Sequence, residues 1–192
     1  MEEKIIDFYK RCLYGTNYDI KNKTNIDMIS KCCFTNAWKD MARTYPVKDK
    51  DQRDILKSQM LKDLTIQVLN KKYNPREIIN KYSNVKNLTL GQAQKVVNMY
   101  FKYLYTFSNL EFIKPEFFSV CDCPIDSIIL NKIKKYQSEF KDITILQDRV
   151  KYKNKTYTWS KIDNINCYLQ IQELIERLSP TTKLDFDFTE WQ

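Results

Sequence analysis

Two short segments of the chain carry residue types that suit nucleophilic chemistry. Lys95 lies in LTLGQAQKVVNMYFKYL, a run over residues 88–104 that is otherwise mostly apolar or aromatic. Asp126 follows Pro124 in CPIDSIIL, over residues 123–130. A lysine amine desolvated by apolar neighbours acts as a nucleophile without a histidine, a metal or a nucleotide loop. A carboxylate in the first turn of a helix is stabilised by the positive end of the helix dipole.

Each candidate is expected to lie on a helix. Thr89 is a predicted cap for a long helix from Leu90 to about Phe107. Lys95, Asn98 and Lys102 recur on it at i, i+3 and i+7, which aligns them on one polar strip. Pro124 is predicted to begin a second helix, which runs through Phe140 and holds Asp126 in its first turn.

The rest of the chain is punctuated by its prolines and by capping residues. Helical apolar spacing predicts further helices over Glu2–Leu13, from Asn25 to about Arg43, from Asp49 or Asp51 to Asn70, from Asn74-Pro75 through Tyr82, and from Ser160 to Leu178. Alternation of β-branched residues predicts a hairpin over 143–158 that turns at Asn154-Lys155. The tail LDFDFTEW is expected to be a short strand or a docked extension. The fold class is therefore mostly α: a compact multi-helix domain with one small β-hairpin. Residues 1–192 form a single helical domain or two lobes, 1–87 and 88–192, that share a core.

Composition excludes several classes of enzyme. The chain has no histidine, which removes Ser-His-Asp and Cys-His catalysis, HExxH zinc sites and histidine-based phosphodiesterases. Its two glycines, Gly15 and Gly91, are too few for a phosphate-binding loop or a dinucleotide-binding loop. No cofactor is expected.

The net positive charge of the chain favours a negatively charged partner. Thirty-two Lys and Arg residues oppose 24 Asp and Glu residues, which gives a net charge of +8. Such a protein is attracted to phosphate backbones through counterion release. An AT-rich genome would also enrich a chain in Lys, Asn and Tyr, so a polyanionic partner and simple composition bias both remain open.

The cysteines and the N-terminus indicate the compartment. The first residues, MEEKIIDFYKRC, are charged and lack the apolar core of a signal peptide. No stretch approaches the 18 or so apolar residues of a membrane span. We therefore expect a cytoplasmic protein with no membrane partner, whose six cysteines are free thiols. Cys32-Cys33 with Cys121-x-Cys123 would supply four thiolates, but neither spacing is that of a zinc ribbon, so no metal is expected.

The Lys95 and Asp126 segments resemble those of the helix-hairpin-helix DNA glycosylases, the group of endonuclease III and the 8-oxoguanine glycosylases. Gly91 with Lys95 and Asn98 is similar to the turn and helix that carry the family's lysine, and PIDSII is similar to its aspartate segment. The long separation between the two is most like the archaeal 8-oxoguanine branch. The likeness covers about residues 88–130, with one glycine where the family's hairpin has two, and without the four-cysteine iron–sulfur loop.

This resemblance implies a function and a set of site residues. Lys95 would be the Schiff-base nucleophile and Asp126 the carboxylate that stabilises the sugar cation. The expected partner is nucleic acid, with DNA favoured over RNA. The residues implied for nucleic-acid binding are Gly91, Gln92, Gln94, Asn98 and Lys102. Trp38 and Trp159 are candidates for an aromatic pocket that receives an extruded base.

Other interpretations of the same residues stay open. The long helix and Trp159-Ser160-Lys161-Ile162 are also similar to uncharacterised small proteins of low-GC bacteria and their phages, for which no activity is known. The chain could thus be a non-catalytic nucleic-acid-binding protein, or a protein-binding inhibitor or accessory module of phage defence or counter-defence. Lys95 and Lys102 would then be a solvated strip, Asp126 a helix cap, and the aromatic residues core.

Overall fold

The fold comes from a computed structural model, which describes residues 26–46, 49–108, 113–179 and 181–190. Its α-helices are α1 (Ile26–Ala42), α2 (Lys50–Leu69), α3 (Pro75–Tyr82), α4 (Leu90–Tyr105), α5 (Ser127–Ile133), α6 (Ile165–Leu178) and α7 (Lys183–Glu190). Its strands are β1 (Ile143–Leu146), β2 (Arg149–Tyr152) and β3 (Lys155–Thr158). Short 3₁₀ turns cover Val85–Asn87, Pro115–Val120, Lys134–Glu139 and Trp159–Lys161. The mostly α prediction is confirmed. The predicted helix over 2–13 and the Gly15 loop lie outside the described residues.

Side-chain caps explain why helices α2, α3 and α4 begin where they were predicted to begin. Asp49 caps α2 by accepting the N–H groups of Asp51 and Gln52, and Asn74 caps α3 by accepting the N–H of Glu77. Thr89 and Gln92 form a reciprocal capping box at the start of α4. Each cap satisfies N–H groups that the first turn of a helix leaves unpaired, which fixes the starting residue.

Helix α4 is the centre of the fold. It packs against α1, α3 and the Trp159–Lys161 turn, and every residue from Leu90 to Lys102 is buried. The buried hydrophobic side chains form one cluster that draws members from both sides of position 87, where the two lobes were divided. No helix within the described part of the chain is long and apolar enough to cross a membrane.

The β element lies where it was predicted but has three strands instead of two. The strands form an antiparallel meander in the order β1-β2-β3, with Ile145 opposite Val150 and Val150 opposite Tyr157. Its turns fall at Gln147-Asp148 and Lys153-Asn154, where Gln147, Lys153 and Asn154 have positive φ. Turns with left-handed residues match the twist of paired strands, and here non-glycine residues supply them.

Other boundaries also differ from the prediction. Helix α6, expected from Ser160, begins at Ile165, because Asn164 is its N-cap and accepts the N–H of Cys167. Helix α5 begins at Ser127, because the Asp126 side chain accepts the N–H groups of Ile128 and Ile129 and so becomes its N-cap. The chain tightens into a 3₁₀ turn after Ile133 and does not continue as an α-helix to Phe140. The tail is a helix, α7, whose start is fixed by reciprocal bonds between Thr182 and Asp185.

Burial of the thiols leads to a prediction about their reactivity. Cys33, Cys121, Cys123 and Cys167 are buried free thiols, and burial raises the pKa of each, for Cys167 to about 12. Only the thiolate reacts with DTNB, so we expect these four residues to react after unfolding and not before. Absorbance at 412 nm with and without urea checks this, and the denatured chain should give six thiols. Two or fewer would contradict the free-thiol prediction.

Candidate functional site

The structure brings Lys95 and Asp126 together. Lys95 Nζ lies 2.7 Å from Asp126 Oδ2, and the two side chains are 8% and 13% exposed. The other carboxylate oxygen, Oδ1, accepts the N–H of Ile128 at 2.9 Å and of Ile129 at 3.0 Å. Asp126 is therefore both the cap of α5 and the partner of Lys95. Lys95 is buried and does not belong to a solvated strip.

The pair lies in a cleft of about 260 Å³. The lining residues are Asp40, Lys95, Met99, Lys102, Tyr103, Asp126 and Trp159. The centroid of the Trp159 ring is 6.0 Å from Lys95 Nζ, which is a cation–π distance. The Tyr103 hydroxyl donates to Asp40 Oδ2 at 2.7 Å on one wall. Of the two predicted pocket aromatics, only Trp159 lines the cleft, because Trp38 is 3% exposed and packs on Phe34 and Tyr45.

Gly91 brings Trp159 close to Lys95. The Gly91 N–H donates to the Ile162 carbonyl at 2.8 Å, so the turn at Trp159–Lys161 lies directly against the start of α4. A Cβ atom on residue 91 would be only 1.9 Å from the Trp159 carbonyl oxygen. This close approach requires glycine and accounts for its presence in a helix, where glycine is otherwise unfavourable.

Gly91→Ala should therefore destabilise the protein. The new methyl group must push the Trp159–Ile162 segment outward, and overpacking of this kind costs about 1–3 kcal/mol. Urea unfolding of the variant and the wild type measures the loss. Lys62→Ala, on the exposed side of α2, is the control and should stay within about 0.5 kcal/mol of the wild type. A stabilised Gly91→Ala variant would show that the segment yields without cost.

A second buried ion pair lies beside the first. Lys102 and Asp187 pair with each other at 1% exposure each, and Lys102 also stacks over the Phe188 ring. Burial raises the pKa of Asp187, while the charges of Lys102 and Lys95 oppose the rise. Sequence reasoning missed Asp187, since the tail was read as a strand or an extension. The Thr182-x-x-Asp185 spacing was the available signal, because it is a capping box that predicts a helix.

Four of the implied nucleic-acid-binding residues are used inside the protein. Gln92 completes the capping box and donates to the Thr44 carbonyl at 2.6 Å. Gln94 and Asn98 are fully buried, and Asn98 donates to the Tyr168 hydroxyl at 3.1 Å. Gly91 is packed under Trp159. All five implied residues are buried in the structure, and Lys102 pairs with Asp187, so none of them is placed as an exposed phosphate contact.

The segment that delivers Asp126 is anchored by a buried carboxylate. Asp122 is fully buried and accepts from Arg76 Nε at 2.8 Å, Arg76 Nη2 at 2.9 Å and the Tyr168 hydroxyl at 2.7 Å. Lys183 Nζ approaches it at 3.0 Å. Burial alone would raise the pKa of Asp122, but the bonds from Arg76 and the charge of Lys183 outweigh burial and lower it. Asp122 thus joins α3, α6 and α7 to the segment that ends at Asp126.

Neither a metal site in the described residues nor a match to a known protein helps to assign a function to the cleft. Within the described ranges, no group of three or more Cys, Asp or Glu side chains is placed to hold a metal ion. Comparison of the chain with family models, curated proteins and solved structures finds no match.

Proposed function

We propose that the protein acts on nucleic acid as a DNA glycosylase/lyase-like enzyme, with Lys95 as nucleophile and Asp126 as catalytic carboxylate. The observation that carries this proposal is the 2.7 Å contact between Lys95 Nζ and Asp126 Oδ2 inside a cleft lined by Trp159. The cleft is large enough for one base, and an indole face is a stacking surface for a base extruded from a duplex. The sequence resemblance supports the same assignment of roles.

In this reaction the Lys95 ammonium first gives up a proton to solvent, and the nitrogen lone pair then bonds to C1′ of the sugar. The glycosidic bond breaks with its electron pair on the base, which takes up a proton, and positive charge develops on the sugar. Asp126 stabilises that charge, because its carboxylate is fixed next to the attacking nitrogen. Opening of the sugar ring, with protonation of O4′, then leaves an imine between Lys95 and C1′.

The surroundings of the cleft suit a polyanion. Lys39 and Arg43 flank the cleft residue Asp40 in the sequence, and Lys161 follows Trp159 closely; all three are exposed. Exposed cations in segments that contribute to a cleft can attract a phosphate backbone without reading bases. The whole-chain charge of +8 acts in the same direction.

Borohydride trapping tests the proposal. The protein is incubated with labelled duplexes that contain an abasic site, 8-oxoguanine or uracil, and borohydride reduces any imine to a stable adduct. We expect a covalent adduct whose tryptic peptide contains Lys95. If no duplex yields an adduct, the proposed reaction is wrong. A steep salt dependence of duplex binding would then favour a non-catalytic nucleic-acid binder, and the absence of binding would favour a protein partner.

A further inference from the structure

The buried amide of Gln94 contacts the residue next to Asp126. Gln94 is fully buried. Its Oε1 accepts the N–H of Ile125 at 3.0 Å, and its Nε2 donates to the Ile125 carbonyl at 2.8 Å. Nε2 also donates to the Gly91 carbonyl at 3.0 Å, and Oε1 also accepts from Asn98 at 3.2 Å. Both ends of the amide are satisfied, so this side chain is fixed in one orientation.

The segment before Asp126 depends on such contacts. Residues 121–126 belong to neither a helix nor a strand, yet Cys121, Asp122, Cys123 and Ile125 are fully buried. Buried backbone N–H and C=O groups need partners, and no ladder is present here to supply them. Gln94 forms hydrogen bonds with both the N–H and the carbonyl of Ile125. Gln172, on α6, does the same for Cys123. It accepts the Cys123 N–H at 2.9 Å and donates to the Cys123 carbonyl at 2.7 Å.

The two amides differ in what they connect. Gln94 precedes Lys95 on α4, and Ile125 precedes Asp126, so the Gln94–Ile125 contact runs beside the Lys95–Asp126 contact. Gln172 belongs to another helix and bonds to a residue further from Asp126. Of these two amides, Gln94 is the one that ties the helix of Lys95 directly to the residue that precedes Asp126.

From this arrangement we propose that Gln94 is the positioning residue of the site, and that it fixes the distance between the Lys95 amine and the Asp126 carboxylate. Its effect on rate rests on the proposed function, whereas its effect on the geometry of the free protein does not. A displacement of about 1 Å in a catalytic pair can cost about a hundredfold in rate. Loss of the Gln94 bonds is therefore expected to act on the chemical step and not on substrate binding.

The test compares Gln94→Met with Gln172→Met. Gln94→Met removes three buried amide–backbone contacts and the bond from Asn98, and Gln172→Met removes two buried amide–backbone contacts. Both substitutions keep the length of the side chain. We expect Gln94→Met to slow single-turnover trapping at saturating abasic duplex by about 10- to 100-fold, with the duplex Kd unchanged. Gln172→Met should also lose stability in urea, because it removes two buried bonds, yet trap at a rate within about threefold of the wild type. Equal losses of rate in the two variants would overturn the proposal.

A second measurement reads the same geometry without nucleic acid. Lys95 is methylated with formaldehyde and cyanoborohydride in the free protein, and the modified peptide is quantified by mass spectrometry. The contact with Asp126 protects the amine, so Gln94→Met should raise the methylation rate of Lys95 several-fold and Gln172→Met should not. If this difference appears while wild-type protein traps no duplex, the positioning role stands and the proposed reaction fails. If Lys95 is methylated at the same rate in the two variants, Gln94 has no positioning role. Should Gln94→Met not fold, Gln94→Asn against Gln172→Asn carries the same comparison.

Discussion

Lys95→Ala should abolish covalent trapping of an abasic duplex, and Asp126→Asn should slow it by about 10²- to 10³-fold. The first substitution removes the only atom that bonds to C1′, so no adduct can form through this residue. The second keeps an oxygen that can cap Ile128 and Ile129, but it removes the charge that opposes the developing cation. Loss of one preorganised electrostatic contact of this kind typically has that magnitude.

Binding distinguishes these effects from misfolding. Both variants should bind the duplex within a few-fold of the wild type, because the Lys95 and Asp126 side chains are mostly buried and contact few phosphates. Lys95→Gln is the companion to Lys95→Ala, since its amide can still donate to Asp126 and so spares the fold. Lys62→Ala controls for the loss of a surface lysine. Trapping by Lys95→Gln at the wild-type rate would mean that another amine is the nucleophile.

Asp122→Asn should lower the free energy of unfolding by about 3–5 kcal/mol, which is the usual cost of breaking a buried ion pair by removal of one partner. The substitution leaves Arg76 and Lys183 facing an amide that cannot balance their charge. Urea unfolding at pH 7 measures the effect. Asp63→Asn is the matched control, because Asp63 also accepts from a lysine and a tyrosine, Lys81 and Tyr82, but is 21% exposed. Its loss should stay below about 1 kcal/mol; equal losses would contradict the importance of burial.

The same variant has a defined pH dependence. The folded protein lowers the pKa of Asp122, so the carboxylate binds its proton more weakly in the folded than in the unfolded chain. Its stabilising contribution is complete above the unfolded pKa of about 3.9 and is lost as the pH falls through the lower folded value. The stability curves of wild type and Asp122→Asn should therefore converge in acid. A constant gap from pH 7 to pH 2 would contradict this.

Local signals account for the parts of the fold that the sequence could predict. Asp49, Asn74 and Thr89 each precede a helix as N-caps, and the apolar spacing behind each cap is unambiguous. The turn of β1 into β2 was missed because Gln147 adopts positive φ without the glycine that normally marks such a turn. Helix α7 was missed because the alternation of LDFDF suggested a strand, although Thr182 and Asp185 already specified a helix start.

Some residues of the candidate site could also be predicted from the sequence, and others could not. Residue type and helical placement were enough to single out Lys95 and Asp126, and the structure brings the two together. The roles of Gln94, Asn98 and Lys102 depend on partners that lie far away in the sequence: Ile125, Tyr168 and Asp187. A polar residue on an apolar helix gives no sign of whether it faces solvent or a distant buried group, so these residues were read as a binding surface.

The Lys102–Asp187 pair also bears on the order in which the molecule can be completed. Ribosomes make α4 well before α7, so while the residues between Lys102 and Asp187 are being made the chain holds Lys102 without the carboxylate that neutralises it. Burying the Lys102 ammonium without a counter-ion is costly. The side chains around this part of α4 are therefore not expected to pack before α7 is available. Because Lys102 also lines the cleft, packing of the cleft wall is expected to follow synthesis of α7.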